Sequence, residues 1–156
     1  MWTADITDIP TGEGWLYLAA VEDLYSRKIV GWSMSDRIDS RLVVAALEVA
    51  IQRELPGEGV VAHSNRGEQY AREHYAGSLA ETCRHVLHEP ERKLMGQRAD
   101  GFFFATLKKE RVHLERYQAR SAARHGLFEY IEVFYNRVRR HSSLGSQSAL
   151  QFEQAA

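Results

Sequence analysis

Several things are scarce in this sequence, and each scarcity closes off a class of protein. There is one cysteine, Cys83, so no internal disulfide and no cysteine-rich zinc site can form. The seven histidines are scattered without metal-ligand spacing. Three prolines and eleven glycines in 156 residues provide no linker, low-complexity tract or repeat, so residues 1–156 read as one domain. Long apolar runs are missing as well. The longest near the N-terminus, Trp15 to Val21, falls far short of the roughly 20 residues of a membrane-crossing helix. No charged-then-apolar leader precedes it, and the expectation is a cytoplasmic protein with no membrane partner. Net charge is only −1, which argues against a strongly basic nucleic-acid binder.

That small net charge conceals a gradient. Residues 1–50 carry eight acids against four bases, whereas residues 107–141 carry nine bases against four acids. A basic helical surface is a sufficient explanation, and a basic strip facing phosphates is the functional one.

What is present reads as strands first and helices afterwards. Trp2 to Pro10, Trp15 to Asp23 and Lys28 to Met34 are rich in the β-branched and aromatic residues that suit a pleated surface. Thr11 to Gly14 and Ser26-Arg27 are placed as their turns, giving three antiparallel strands. Asp39 can then cap a helix carrying Leu42, Ala45, Ala46 and Val49 on one face, closed by Pro56-Gly57. Gly59 to Ala62 is expected as a fourth strand, residues 72–83 as a helix, Arg84 to His88 as a fifth strand and Glu89 to Arg98 as a polar loop. Phe102 to Val112 is expected to be helical. Leu127, Tyr130, Ile131, Phe134, Tyr135 and Val138 fit the spacing of a core-packed helix.

Meander, helix, strand, helix, strand and helices is the order of a ribonuclease-H-like α/β core, a five-stranded mixed sheet flanked by helices. In that architecture acids from the first strand, the fourth strand and a later helix hold two divalent ions about 4 Å apart beside a scissile phosphate. Asp5, within "TADITDIP", is the first such acid. Asp8, three residues on, belongs to the opposite face of a regular strand.

The blocks "WTADIT", "EGWLYLAAVEDLYSRKIVGWSMSDR", "HSNRGEQY", "FFATLKKE" and "FEYIEVFYNRVRRHSSLG" follow one another from Trp2 to about Phe152. In content and order they resemble the retroviral-integrase-like catalytic core of bacterial insertion-sequence transposases of the OrfB type. The resemblance implies a carboxylate triad that binds Mg2+ or Mn2+, cuts DNA at element ends and joins the freed 3′ hydroxyl to a target strand. It also implies self-association or association with related transposases. Relatives carry an N-terminal helix-turn-helix region, expected to be absent here because the first strand begins at residue 2.

The sequence departs from that pattern at the triad. Asp5 matches the first acid, Asn65 stands at the second acid position and Gly101 at the third, with 35 residues between the last two. The spacing is the family's, but two carboxylates are gone. The preceding "ERKLMGQRAD" also lacks the Gly-Asn-rich pattern expected there. Asp100 is the nearest possible substitute, with Glu68 and Asp23 as others. The site charge would fall from −3 to −1, so metal binding is expected to be weak. A decayed element, a repurposed non-catalytic DNA-binding or self-associating module, an engineered inactive variant and an enzyme using unexpected ligands all fit the sequence.

Weak, sequence-independent DNA contact is expected from Lys108, Lys109, Arg137, Arg139, Arg140 and His141, which resemble positions near the DNA path of relatives. The alternative is a solvated helix end, where cations also suit the dipole. The tail lacks the Tyr and Pro expected near Ser146 and Ala149, so its last residues are expected to fray.

Overall fold

The structure is a computed structural model, described here for residues 1–55, 62–64 and 96–156. Strands β1 (Trp2–Thr11), β2 (Gly14–Asp23) and β3 (Ile29–Ser35) form the expected meander. Helix α1 (Ser40–Glu54) crosses to the short strand β4 (Ala62–Ser64), which pairs parallel to β1. The sheet order is β3-β2-β1-β4, mixed as expected. The expected helix over 72–83, the fifth strand Arg84 to His88 and residues 59–61 of the fourth strand lie outside the described residues.

Alternation along the strands sorts side chains into two cores. Trp2, Ala4, Ala19, Val21 and Val30 pack with Leu42, Val43, Ala46, Leu47 and Ala50 of α1. On the other face Ile9, Leu16, Leu18 and Ala20 pack with residues of the later helices. These are α2 (Gly96–Glu110) and α3 (Arg120–Phe128), the latter continued by a π-helix, Glu129–Tyr135. A 3-10 turn, Val112–Leu114, joins α2 to the segment before α3.

The α1 boundaries follow from local chemistry. Asp39 accepts the Arg41 N–H at 3.0 Å and satisfies a first-turn donor. The helix ends at Leu55, left-handed at φ 43°, whose N–H bonds the Ile51 carbonyl; Pro56 follows it in the chain. The buried stripe is Leu42, Val43, Ala46, Leu47 and Ala50, rotated from the expected one, with Ala45 and Val49 only half-buried.

Three expectations are corrected. Helix α2 begins at Gly96, so 96–98 are helical where a loop was expected. Phe134 and Val138 are exposed because the helix widens into a π-helix there and the 3.6-residue spacing no longer applies. The tail is anchored: strands β5 (Arg140–His141) and β6 (Gln147–Ser148) lead into α4 (Ala149–Ala155), capped by reciprocal Ser148 and Gln151 bonds. Phe152 lies 5.2 Å from the Tyr25 ring, and Glu153 accepts from Lys28 Nζ at 3.0 Å.

Candidate functional site

Asp5 sits in the middle of β1, between antiparallel β2 and parallel β4. It is level with Ala20 and shares a face with Thr3, Thr7 and Ile9, the face on which α2 packs through Phe103 and Leu107. The carboxylate is half-buried, and its Oδ1 accepts the Ile6 N–H at 2.8 Å. On the other side, Ala4 is level with Ser64 of β4. Asp5 follows Ala4 in the chain, and Asn65 follows Ser64. Asn65 and Glu68 lie outside the described residues.

Gly101 and Asp100 both fall inside α2, which is already running from Gly96. Adjacent positions in a helix are about 100° apart around its axis. Asp23, another possible substitute, is used by the β2–β3 turn: its Oδ1 accepts the Tyr25 N–H at 3.0 Å and its Oδ2 the Ser26 hydroxyl at 3.3 Å.

Sequence reasoning passed over one acid on this face. Glu22 continues the series Leu16, Leu18, Ala20 on β2, is level with Thr3 and is buried. Burial first, and then the Glu22 charge, push the Tyr135 phenol far above its ordinary range. The signal was legible as an acid at a core-facing step of an alternating strand.

The cationic residues divide sharply. Lys109, Arg137 and Arg140 are exposed. Lys108 Nζ lies 3.5 Å from Asp8 Oδ1. Arg139 turns inward: its Nε reaches Glu110 Oε1 and Oε2 at 3.0 and 3.1 Å, and its guanidinium lies 5.8 Å from the Tyr135 ring centre. Tyr130 donates its hydroxyl to the same Glu110 at 2.7 Å. His141 is 3% exposed and packs edge-on against Tyr135 at 5.0 Å. It therefore has no surface from which to meet a phosphate, and the expectation of a contact at His141 is corrected.

The donor set can be judged against divalent metal. Asp5 supplies one hard anionic oxygen donor, Asn65 would supply a neutral amide and Gly101 supplies no side chain. Among the described residues no three His, Cys, Asp or Glu side chains converge as metal ligands. Asp5, Asn65 and Gly101 by themselves do not make the donor set of a two-metal site.

A mixed sheet with a central acid on β1, a crossover helix to a parallel β4, and helices on both faces defines the ribonuclease-H-like class. Solved structures of integrases share this fold. The HTLV-2 integrase catalytic core, in its dimeric form with magnesium, superposes with a TM-score of 0.64 at 16% identity, covering 99% of this chain and 94% of that one. A chain of the simian T-cell lymphotropic virus intasome gives 0.69 at 17%, covering 99% and 54%. At this identity the likeness establishes the fold.

Sequence relationships establish the family. The integrase core domain family matches residues 1–93, and a second integrase core domain family matches residues 102–156. The chain belongs to the integrase core domain family. Similar proteins include the InsF transposase for insertion sequence IS3A of Escherichia coli (strain K12), 42% identical over 97% of this chain and 53% of the relative. The transposase for IS904 of Lactococcus lactis subsp. lactis (strain IL1403) is 38% identical over 98% and 60%. The chain spans between half and two-thirds of the length of these relatives. Residues 94–101, which include Asp100 and Gly101, fall between the two family matches. Among the described residues no helix is long and apolar enough to cross a membrane.

Proposed function

We propose that this chain is a transposase- or integrase-type core whose metal-dependent DNA cleavage and strand transfer are impaired, and that it keeps weak, sequence-independent contact with DNA. The observation that carries the reading is the pairing of Ala4 with Ser64, each followed in the chain by a triad position, Asp5 and Asn65. The register suits a triad site, but an amide occupies the second position and glycine the third. A magnesium or manganese ion loses most of its electrostatic attraction when two of three carboxylates are removed, since neutral oxygens do not offset its dehydration as anions do. Binding of Mg2+ or Mn2+ is therefore weak.

DNA contact rests on Lys109, Arg137 and Arg140, the exposed members of the cationic set, which release counterions on meeting phosphates. The partners are DNA, further copies of this chain and related transposases. A second reading, a non-catalytic self-associating module, draws support from Val133, Phe134 and Val138, large apolar residues exposed along one stretch.

The test is calorimetric titration of Mg2+ and Mn2+ into the unmodified chain and into Asn65→Asp combined with Gly101→Glu, then strand-transfer assay of both. The restored variant should bind at least tenfold more tightly and join DNA. Tight binding of two ions by the unmodified chain would overturn the reading.

A further inference from the structure

One line of side chains on the helix that runs from Arg120 to Asn136 follows the open edge of β3. That strand is outermost in the sheet, and among the described residues no strand pairs with its far side. Arg124 Nη1 donates to the Met34 carbonyl at 3.2 Å. The Phe128 ring meets Trp32 edge-on at 5.8 Å. Glu132 Oε1 accepts the Trp32 indole N–H at 2.7 Å and is held by Arg53 from the end of α1. Asn136 pairs with both backbone groups of Ile29: its Oδ1 accepts the Ile29 N–H at 2.8 Å, and its Nδ2 donates to the Ile29 carbonyl at 3.0 Å. The helix positions advance by four, from 124 to 136, as the strand positions fall from 34 to 29. The helix therefore lies antiparallel along the edge.

A regular α-helix could not keep this line. Residues four apart overshoot a full turn by about 40°, so three steps would carry Asn136 about 120° away from Arg124. The π-helix from Glu129 to Tyr135 corrects the drift. Its wider turns close with i to i+5 bonds, as from the Asn136 N–H to the Ile131 carbonyl at 3.1 Å. Residues four apart then fall slightly short of a turn instead of beyond it. Overshoot in the α part and shortfall in the π part cancel, and positions 124, 128, 132 and 136 stay on one face.

We infer that this line is an edge guard, which keeps β3 from accepting a strand of a second copy of this chain. The free N–H and C=O groups of an outer strand are a template for pairing, and covering helices and charged side chains are means of blunting it. Asn136 presents an amide to Ile29 and does there what the backbone of a neighbouring strand would do. Arg124 engages a carbonyl at the other end, and Arg53 with Glu132 places a charged pair beside the middle. Exposed apolar residues elsewhere take no part in this contact, so the inference stands apart from the function proposed above.

The experiment is sedimentation velocity over a concentration series for the unmodified chain, for Arg124→Ala with Glu132→Ala, and for that pair with Ser33→Lys added. The double variant should associate at a concentration at least tenfold lower than the unmodified chain. Ser33→Lys, which adds a charge to the β3 edge, should reverse this. Unchanged association, or increased association indifferent to Ser33→Lys, overturns the inference. If the double variant does not fold, hydrogen exchange on the unmodified chain decides: the Ile29 amide should exchange slowly and 29–35 should show the same protection at low and high concentration. Protection over 29–35 that rises with concentration means the edge is open to a second copy, and the guard is refuted.

Discussion

At the scale of single residues, His141 carries a pH dependence whose sign follows from its surroundings. Burial, and next the Arg139 charge with Arg27 further off, hold its pKa below the ordinary 6.5, against a hydrogen bond to the Tyr135 backbone and the attraction of Glu110. The unfolded chain thus takes up this proton at a higher pH than the folded one. The contribution to stability is complete above pH 6.5 and is lost as pH falls toward the folded value. Urea midpoints should drop more steeply between about pH 7 and pH 5.5 for the unmodified chain than for His141→Phe, which keeps a ring against Tyr135. Equal slopes would show that other groups set the acid limit. The sequence could not reveal this, because "RVRRH" reads as a cationic run and nothing in it tells which side chains face Tyr135. The placement of Asp5 on β1 and the cap at Asp39 were legible for the opposite reason. Both depend on position within one strand or at one helix start, which a local pattern carries.

At the scale of elements, Gly31 controls how closely α1 lies on the sheet. A Cβ there would stand 2.6 Å from the Ala50 nitrogen and closer still to the Ala46 carbonyl, both backbone atoms of a helix that cannot give way locally. Gly31→Val should destabilise the fold by about 1–3 kcal/mol, the usual cost of overpacking, and more if α1 cannot shift. Denaturant titration measures it, and a loss under about 0.5 kcal/mol would mean that the helix moves freely. The three-strand meander and the start of α1 were readable because alternation and capping are local signals. The beginning of α2 was not: "GQRADG" holds two glycines and little apolar periodicity, and its helix precedes the packed Phe103, Phe104 and Leu107. The π-helix was hidden too, since a 3.6-residue template assigns Phe134 to the core, whereas i, i+5 spacing buries Tyr130 and Tyr135.

At the scale of the whole molecule, ion pairs formed within the fold decide which cations remain for DNA. Lys108 lies by Asp8, Lys28 bridges Glu54 and Glu153, and Arg139 is fixed on Glu110. A cation already paired inside the protein releases no condensed ion when the chain meets a duplex, so it adds nothing to the salt dependence of binding. Lys109, Arg137 and Arg140 are exposed, and under the proposed function they are the ones that should add to it. The logarithm of affinity for a duplex should fall linearly with the logarithm of salt, and replacing these three with alanine should flatten the slope by about 0.9 for each phosphate that is no longer neutralised. Arg139→Gln should leave the slope unchanged while lowering the thermal midpoint, because it breaks the bond to Glu110 and loosens the end of α2. Fluorescence anisotropy with a labelled duplex over a series of salt concentrations distinguishes the two classes. An Arg139→Gln slope as flat as that of the triple variant would mean that Arg139 leaves Glu110 for phosphate on binding, and the division between inward and outward cations would fall.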